Sequence, residues 1–257
     1  MNRFLSGDSE SVIERLCATM NAIDNEWSKK IKPATKEQIQ RLKDLVGFNE
    51  NGIEIPKVYM DFLEKMGQDD GGLLENEWDG FSEVNIVAII DYYASVYDDE
   101  FDYDPKTLLL FLSHWSEAYL YLDMSKGDNP PVYSYEELFA DTLESYLFHM
   151  AFKYMYKEEY HISDNWLSFT QQQMDDMIRK KTTFNGTMTE RMEYISQIMN
   201  SLSFEKAWFS DSVRNYYYKD DIVVLVCTYF SLGILVVGKD EDKVLQVKKH
   251  ITNLLYA

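Results

Sequence analysis

Between Ile55 and Gly72 the chain reads IPKVYMDFLEKMGQDDGG, a helix whose two ends are both set by local chemistry. Pro56 suits the first helical turn, where a missing backbone N–H costs nothing. Val58, Tyr59, Phe62, Leu63 and Met66 then recur at spacings of one, three and four, which places them on a single face. Gly71 and Gly72 allow a sharp exit, and the acids Asp69 and Asp70 rim that exit. A helix with one apolar stripe must lie on another layer, so this segment predicts a layered domain.

The same signals recur along the chain. Ser11-x-x-Glu14 and Thr35-x-x-Gln38 are capping boxes for two earlier helices, and Thr187-x-x-Glu190 is one for a later helix bearing Met188, Met192, Ile195 and Met199. Leu73 to Ala88 reads as two short strands around Trp78-Asp79-Gly80. Ile89 to Val96 fits either strand or helix. A short apolar strand ends at Trp115, a second runs from Ala118 to Leu122, and Val132-Tyr133 forms a third. A helix of about six turns is expected from Tyr135 to Lys157. After Glu158 the pattern becomes a helix from Asp164 to Lys180, the capped helix, and strands at Ala207–Tyr218, Ile222–Phe230 and Gly233–Val237. A terminal helix capped by Asp240 follows.

An Ile-Pro helix ending in acids and glycine, the strands around Trp115, the Gly127-Asp128-Asn129-Pro130 turn, Pro131-Val132-Tyr133 and a closing helix resemble the SUKH superfamily over roughly residues 31–157. The chain has Gln68-Asp69-Asp70-Gly71-Gly72 where many members carry an Asn-Gly-Gly turn, and Ser116-Glu117 where a Gly-rich step follows the Trp strand. The resemblance implies an α+β fold, an antiparallel sheet with helices packed on one side. It also implies a function of the immunity-protein or cell-wall-regulator kind. The expected organisation is an N-terminal helical extension (1–30), a SUKH-like domain (31–158) and a second small α+β domain (159–257).

Forty-four acids against twenty-five bases give a formal charge of −19. Such a chain repels nucleic acid and anionic membranes at long range and steers toward cationic partners. Between Glu54 and Asp104 stand fifteen acids and only Lys57 and Lys65 as bases, which concentrates the charge on the N-terminal half. Acidic chains are common for solubility alone. The run Asp98-Asp99-Glu100-Phe101-Asp102-Tyr103-Asp104 goes further, because it costs self-repulsion that solubility does not require. Aromatic anchors inside a charged rim suit a protein interface, and one of Tyr92 and Tyr93, not both, is expected to be buried.

Catalytic and metal motifs are missing from the sequence. It has no phosphate-binding glycine loop and no Gly-x-Ser-x-Gly elbow, and no two of its four histidines fall within five residues of each other. The 98–104 run lacks the glycine and terminal glutamate of an EF-hand loop, so no metal and no cofactor are expected. Cys17 and Cys227 read as small hydrophobes in a reducing compartment. The N-terminus MNRFLSGDSE has no apolar core, which points to a cytoplasmic protein. The uncharged stretch Ile222–Gly238 is too short to span a bilayer and reads as a buried hairpin turning at Ser231-Leu232-Gly233.

The function expected from the resemblance and the charge is a non-enzymatic immunity protein. It would bind a cognate polymorphic toxin, a basic protein of the nuclease type. Candidate contact residues are Asp69, Asp70, Glu75, Glu77 and Asp79, with Asp98, Asp99, Glu100, Asp102 and Asp104 as a second patch. The alternatives are a regulatory scaffold of the cell-wall-regulator type and an enzyme housed in the second domain.

Overall fold

The computed structural model describes residues 4, 11–46, 54–74, 82–83, 85–96, 107–113, 119–134, 137–159, 166–169, 171–179, 187–228 and 232–256. The chain forms two compact units, residues 2–155 and 156–257. Each is α+β with its own antiparallel sheet.

In the first unit, α1 (Val12–Ile23) starts at the Ser11/Glu14 capping box, in which both reciprocal hydrogen bonds form at 3.2 Å. The box of α2 (Lys36–Val46) also closes. The Gln38 backbone N–H donates to Thr35 Oγ1 at 3.2 Å, and the Thr35 backbone N–H donates to Gln38 Oε1 at 2.8 Å. In α3 (Lys57–Met66) all five residues of the apolar stripe are buried, Leu63 completely. The ambiguous segment is a helix, α4 (Ile86–Val96), which packs against α2 and takes in Ile86 to Ala88, expected above as strand. Tyr93 is buried on it and Tyr92 half-buried, as expected, with the two rings in edge contact.

The first sheet holds β1 (Ser82–Glu83), β2 (Thr107–Ser113), β3 (Tyr119–Asp123), β4 (Val132–Ser134) and β5 (Glu137–Ala140) in sequential order. Along β3 and β4 burial alternates. Leu120, Leu122, Val132 and Ser134 are inside while Tyr121 and Tyr133 are half-buried, the period of two that a sheet with one covered face requires. Trp115 and the flanking 114–118 lie outside the described residues, as do 75–81.

One expected helix starts late. Residues 137–140 form β5, and α5 (Leu143–Glu159) begins only after Thr142. The reason is a capping exchange with a short partner. The Ser145 N–H donates to Thr142 Oγ1 at 3.0 Å, and the Thr142 N–H donates to Ser145 Oγ at 3.2 Å. Serine in place of glutamate hides this box from a sequence search.

The second unit has β6 (Trp166–Phe169), α6 (Gln171–Arg179), α7 (Met188–Ser201), β7 (Glu205–Lys206), β8 (Arg214–Lys219), β9 (Ile222–Cys227), β10 (Leu232–Gly238) and α8 (Glu241–Tyr256). Its sheet order is β6-β10-β9-β8-β7. Ile178, Ile195, Ile198 and Met199 meet Val224, Val226, Ile234 and Val236 in one core, completed by Val244, Ile251 and Leu255 of α8. The Thr187/Glu190 box closes as read, and Asp240 caps α8 through the Lys243 N–H at 3.2 Å. Met188, however, is exposed; Tyr194 and Ile198 take the inward positions beside Ile195 and Met199.

Three readings of this unit are corrected. Trp166–Phe169 is an edge strand paired with Leu232–Leu235 of β10, not the start of a helix, because a ladder with a distant strand overrides a weak local helical period. Ala207–Tyr218 is not one strand. Asp211 Oδ1 accepts from the Val213 and Arg214 N–H groups and folds a turn between β7 and β8. Leu232 and Gly233 belong to β10, paired with Phe169, Ser168 and Cys227, so the hairpin turns earlier than expected.

Candidate functional site

The acidic exit of α3 is built from the helix outward. Gly67 ends α3, and a β-carbon on it would meet the Leu63 carbonyl oxygen at 2.7 Å and the Ala34 β-carbon at 2.9 Å. That absence of a side chain lets the extended segment before α2 lie against the turn. The Lys32 N–H donates to the Asp69 carbonyl at 2.8 Å, and the Gln68 N–H donates to the Lys32 carbonyl at 2.9 Å. Beyond it, Gly71 (φ 67°) and Gly72 (φ 80°) adopt left-handed backbone that other residues rarely take. A β-carbon on Gly71 would also lie 2.6 Å from Nε1 of the fully buried Trp27.

The two acids of this turn part company. Asp69 is half-buried, and its Oδ1 accepts from the Gly71 N–H at 3.0 Å, which leaves carboxylate surface facing outward. Asp70 is only 6% exposed. Its Oδ1 accepts from the Gly72 N–H and its Oδ2 from the Leu74 N–H, both at 2.9 Å. Asp70 therefore serves the chain's own backbone, satisfying donors that the left-handed turn would otherwise strand. The remaining candidate contacts, Glu75, Glu77, Asp79, Asp98, Asp99, Glu100, Asp102 and Asp104, lie outside the described residues.

A group of carboxylates missed in the sequence surrounds Lys57. Asp61 accepts from the Lys57 ammonium at 2.6 Å, and Asp128 and Glu64 lie within its field. The hydrogen bond to Asp61 raises the lysine's pKa, with charge attraction from the three carboxylates adding to it. Asp61 and Glu64 stand one and two turns after Lys57, a spacing visible in the sequence. Asp128 comes from a distant turn, held by the Val58 N–H donating to its carbonyl at 3.1 Å, and no local pattern announces it.

The charge excess sits in the first unit. Through Met155 the sequence holds thirty acids and thirteen bases, a formal −17, whereas residues 156–257 hold fourteen acids and twelve bases. Some of its charged groups pair internally. Arg15 pairs with Glu144, and Lys30 donates to Asp24 at 2.9 Å and to the Tyr154 hydroxyl at 3.2 Å. The Tyr154 hydroxyl in turn donates to Asp24 at 3.0 Å. This triangle depresses the Asp24 pKa, chiefly through the Lys30 hydrogen bond, and raises that of Lys30. A lysine held charged in this way is the opposite of a nucleophile.

Other chemistry is sparse among the described residues. No three His, Cys, Asp or Glu side chains come together as metal ligands would. Cys17 and Cys227 are free thiols and half-buried rather than fully enclosed, and burial raises the pKa of Cys17, which favours the protonated thiol over the nucleophilic thiolate. Among the described residues, no helix is long and apolar enough to cross a membrane.

Among curated proteins and among solved structures, none matches this chain. Residues 33–151 match a family model, and the matched span runs from the segment before α2 into α5, taking in the acidic turn and the whole first sheet. The family includes immunity proteins and cell-wall regulators, and its members are generally non-enzymatic. Residues 33–151 are thus similar to the domain described as the SMI1 / KNR4 family (SUKH-1).

Proposed function

We propose that this chain is a non-enzymatic immunity protein of the cytoplasm, which binds a cognate polymorphic toxin of nuclease type and blocks it. The observation that carries the reading is coincidence: the family match and the excess of negative charge fall on the same unit. A nuclease presents a cationic groove for its substrate backbone, and a protein surface bearing carboxylates can occupy that groove in place of phosphates. Charge of this density raises association rates by about 10–1,000-fold at low salt, while buried aromatic contacts set the lifetime.

The contact surface in this reading comprises Asp69, Glu75, Glu77, Asp79, Asp98, Asp99, Glu100, Asp102 and Asp104. Asp61, Glu64 and Asp128 around Lys57 are further candidates. Asp70 is left out because both of its oxygens are engaged by the backbone. The test is co-purification with the product of the adjacent reading frame, followed by charge reversal at Asp98, Asp99 and Glu100. Capture of a basic toxin and slower association by the variant support the proposal. Capture with unchanged association kinetics removes that patch from it.

The same family includes cell-wall regulators, so a regulatory scaffold is the second reading. Rescue of growth when the neighbouring product is expressed separates the two, because only an immunity protein relieves toxicity.

A further inference from the structure

Within the second unit, the β8–β9 turn, the end of α7 and the first turns of α8 border a cavity of about 200 Å³. Its floor is apolar. Phe204 and Ile222 are each 5% exposed there, and half-buried Val247 of α8 closes one side. Its rim is charged and polar, and the pairing within that rim is incomplete.

Lys243 and Asp221 neutralise one another at 3.4 Å. Lys219 donates only to the Leu202 carbonyl, at 2.9 Å, so its positive charge has no carboxylate partner among the described residues. Asp220 has neither a hydrogen-bond nor an ion-pair partner among them. The two-residue turn linking Lys219 to Ile222 holds it in left-handed backbone (φ 51°). Gln246 and His250 add two more polar groups on the α8 side. Lys219 and Asp220 are both exposed, so the rim offers solvent one cation and one anion that no protein group among the described residues neutralises, beside an apolar floor. Its volume lies below the ~300–1,000 Å³ of sites for larger ligands.

We infer that this cavity binds a free α-amino acid with an apolar side chain. The ligand carboxylate meets Lys219, its ammonium meets Asp220, and its side chain lies over Phe204, Ile222 and Val247. A small zwitterion carries both opposite charges on one molecule, which plain carboxylates, plain amines and internal peptide segments do not. The site belongs to the unit that the family match does not reach, and it stands independently of the toxin reading.

The experiment is isothermal titration of the full chain with L-leucine, L-isoleucine and L-phenylalanine. Three leucine analogues accompany them: 4-methylpentanoate without the amine, isopentylamine without the carboxylate, and N-acetyl-leucine. The inference expects saturable binding of at least one amino acid at millimolar concentration or below, weakened at least about tenfold in each analogue, as loss of one charged hydrogen bond implies. Asp220→Asn and Lys219→Gln should weaken it similarly; asparagine is chosen because it tolerates left-handed backbone. Absence of saturable binding by any of the three amino acids overturns the inference, as does equal binding by the analogues. If either variant misfolds, the analogue series on the unaltered chain decides the matter alone.

Discussion

Three glycines of the first unit separate two costs that are usually confounded, backbone strain and steric clash. Gly71 combines them. At φ 67° an alanine suffers left-handed strain of about 1–2 kcal/mol, and its β-carbon would sit 2.6 Å from Trp27 Nε1 in a fully packed region, which adds about 1–3 kcal/mol. Gly67 has ordinary helical backbone (φ −69°) but a β-carbon 2.7 Å from the Leu63 carbonyl, so Gly67→Ala should cost the clash alone, about 1–3 kcal/mol. Gly127 has φ 88° with nothing within 4 Å, so Gly127→Ala should cost strain alone, about 1–3 kcal/mol before the exposed loop relaxes. Gly71→Ala should therefore cost about 2–5 kcal/mol, the largest of the three. In urea unfolding this is a midpoint shift of about 1–2.5 M, at a slope of about 2 kcal/mol/M. A Gly71→Ala loss below about 1 kcal/mol, or one smaller than that of Gly127→Ala, would refute the close packing of Trp27 against this turn.

Two further outcomes follow from the same geometry. Asp70→Asn replaces one backbone-accepting oxygen by a donor facing another donor, and should destabilise by about 2–3 kcal/mol in urea unfolding. Asp69→Asn should cost under about 1 kcal/mol, since that carboxylate is half exposed with one backbone bond; equal effects would contradict the division of roles drawn here. At alkaline pH the Tyr59 hydroxyl, fully buried, has its pKa pushed up by burial, and the Lys30 ammonium has its pKa raised by Asp24. In both cases the folded chain keeps a proton that the unfolded chain releases near pH 10, so stability is intact below about pH 10 and declines as pH rises beyond it. The Tyr59 share of the tyrosinate absorbance should therefore appear only together with unfolding, read as the difference from a Tyr59→Phe chain; its appearance near pH 10 in a still-folded chain would contradict this.

How much of this was legible depended on whether the determining chemistry was local. The Ser11, Thr35 and Thr187 capping boxes each fix a helix start with partners three residues apart, and all three were readable. The buried stripe of α3 was equally plain, because a helix with five apolar positions on one face has one way to lie. The Thr142/Ser145 exchange was not, since a serine at that place carries no special signal, and strand 137–140 was lost with it. Trp166–Phe169 became a strand through pairing with residues 232–235, far along the chain.

The candidate site shows the same divide. The sequence marks Asp69 and Asp70 as equivalent neighbours, yet one backbone turn makes the second a structural acceptor. Asp61 and Glu64 share a helix face with Lys57 by spacing alone. Asp128 joins them only because a loop about seventy residues away docks its carbonyl on the Val58 N–H. Charge segregation between the two units was legible as a trend, since acids are counted without knowing the fold.

The most direct trial is the association rate of the intact chain with the product of its neighbouring reading frame, followed at low and high ionic strength. If the negative first unit guides a cationic toxin, the rate should fall at least about tenfold between roughly 50 and 300 mM salt, with the dissociation rate changing far less. Association that ignores salt, or a captured partner that is itself acidic, would contradict the account.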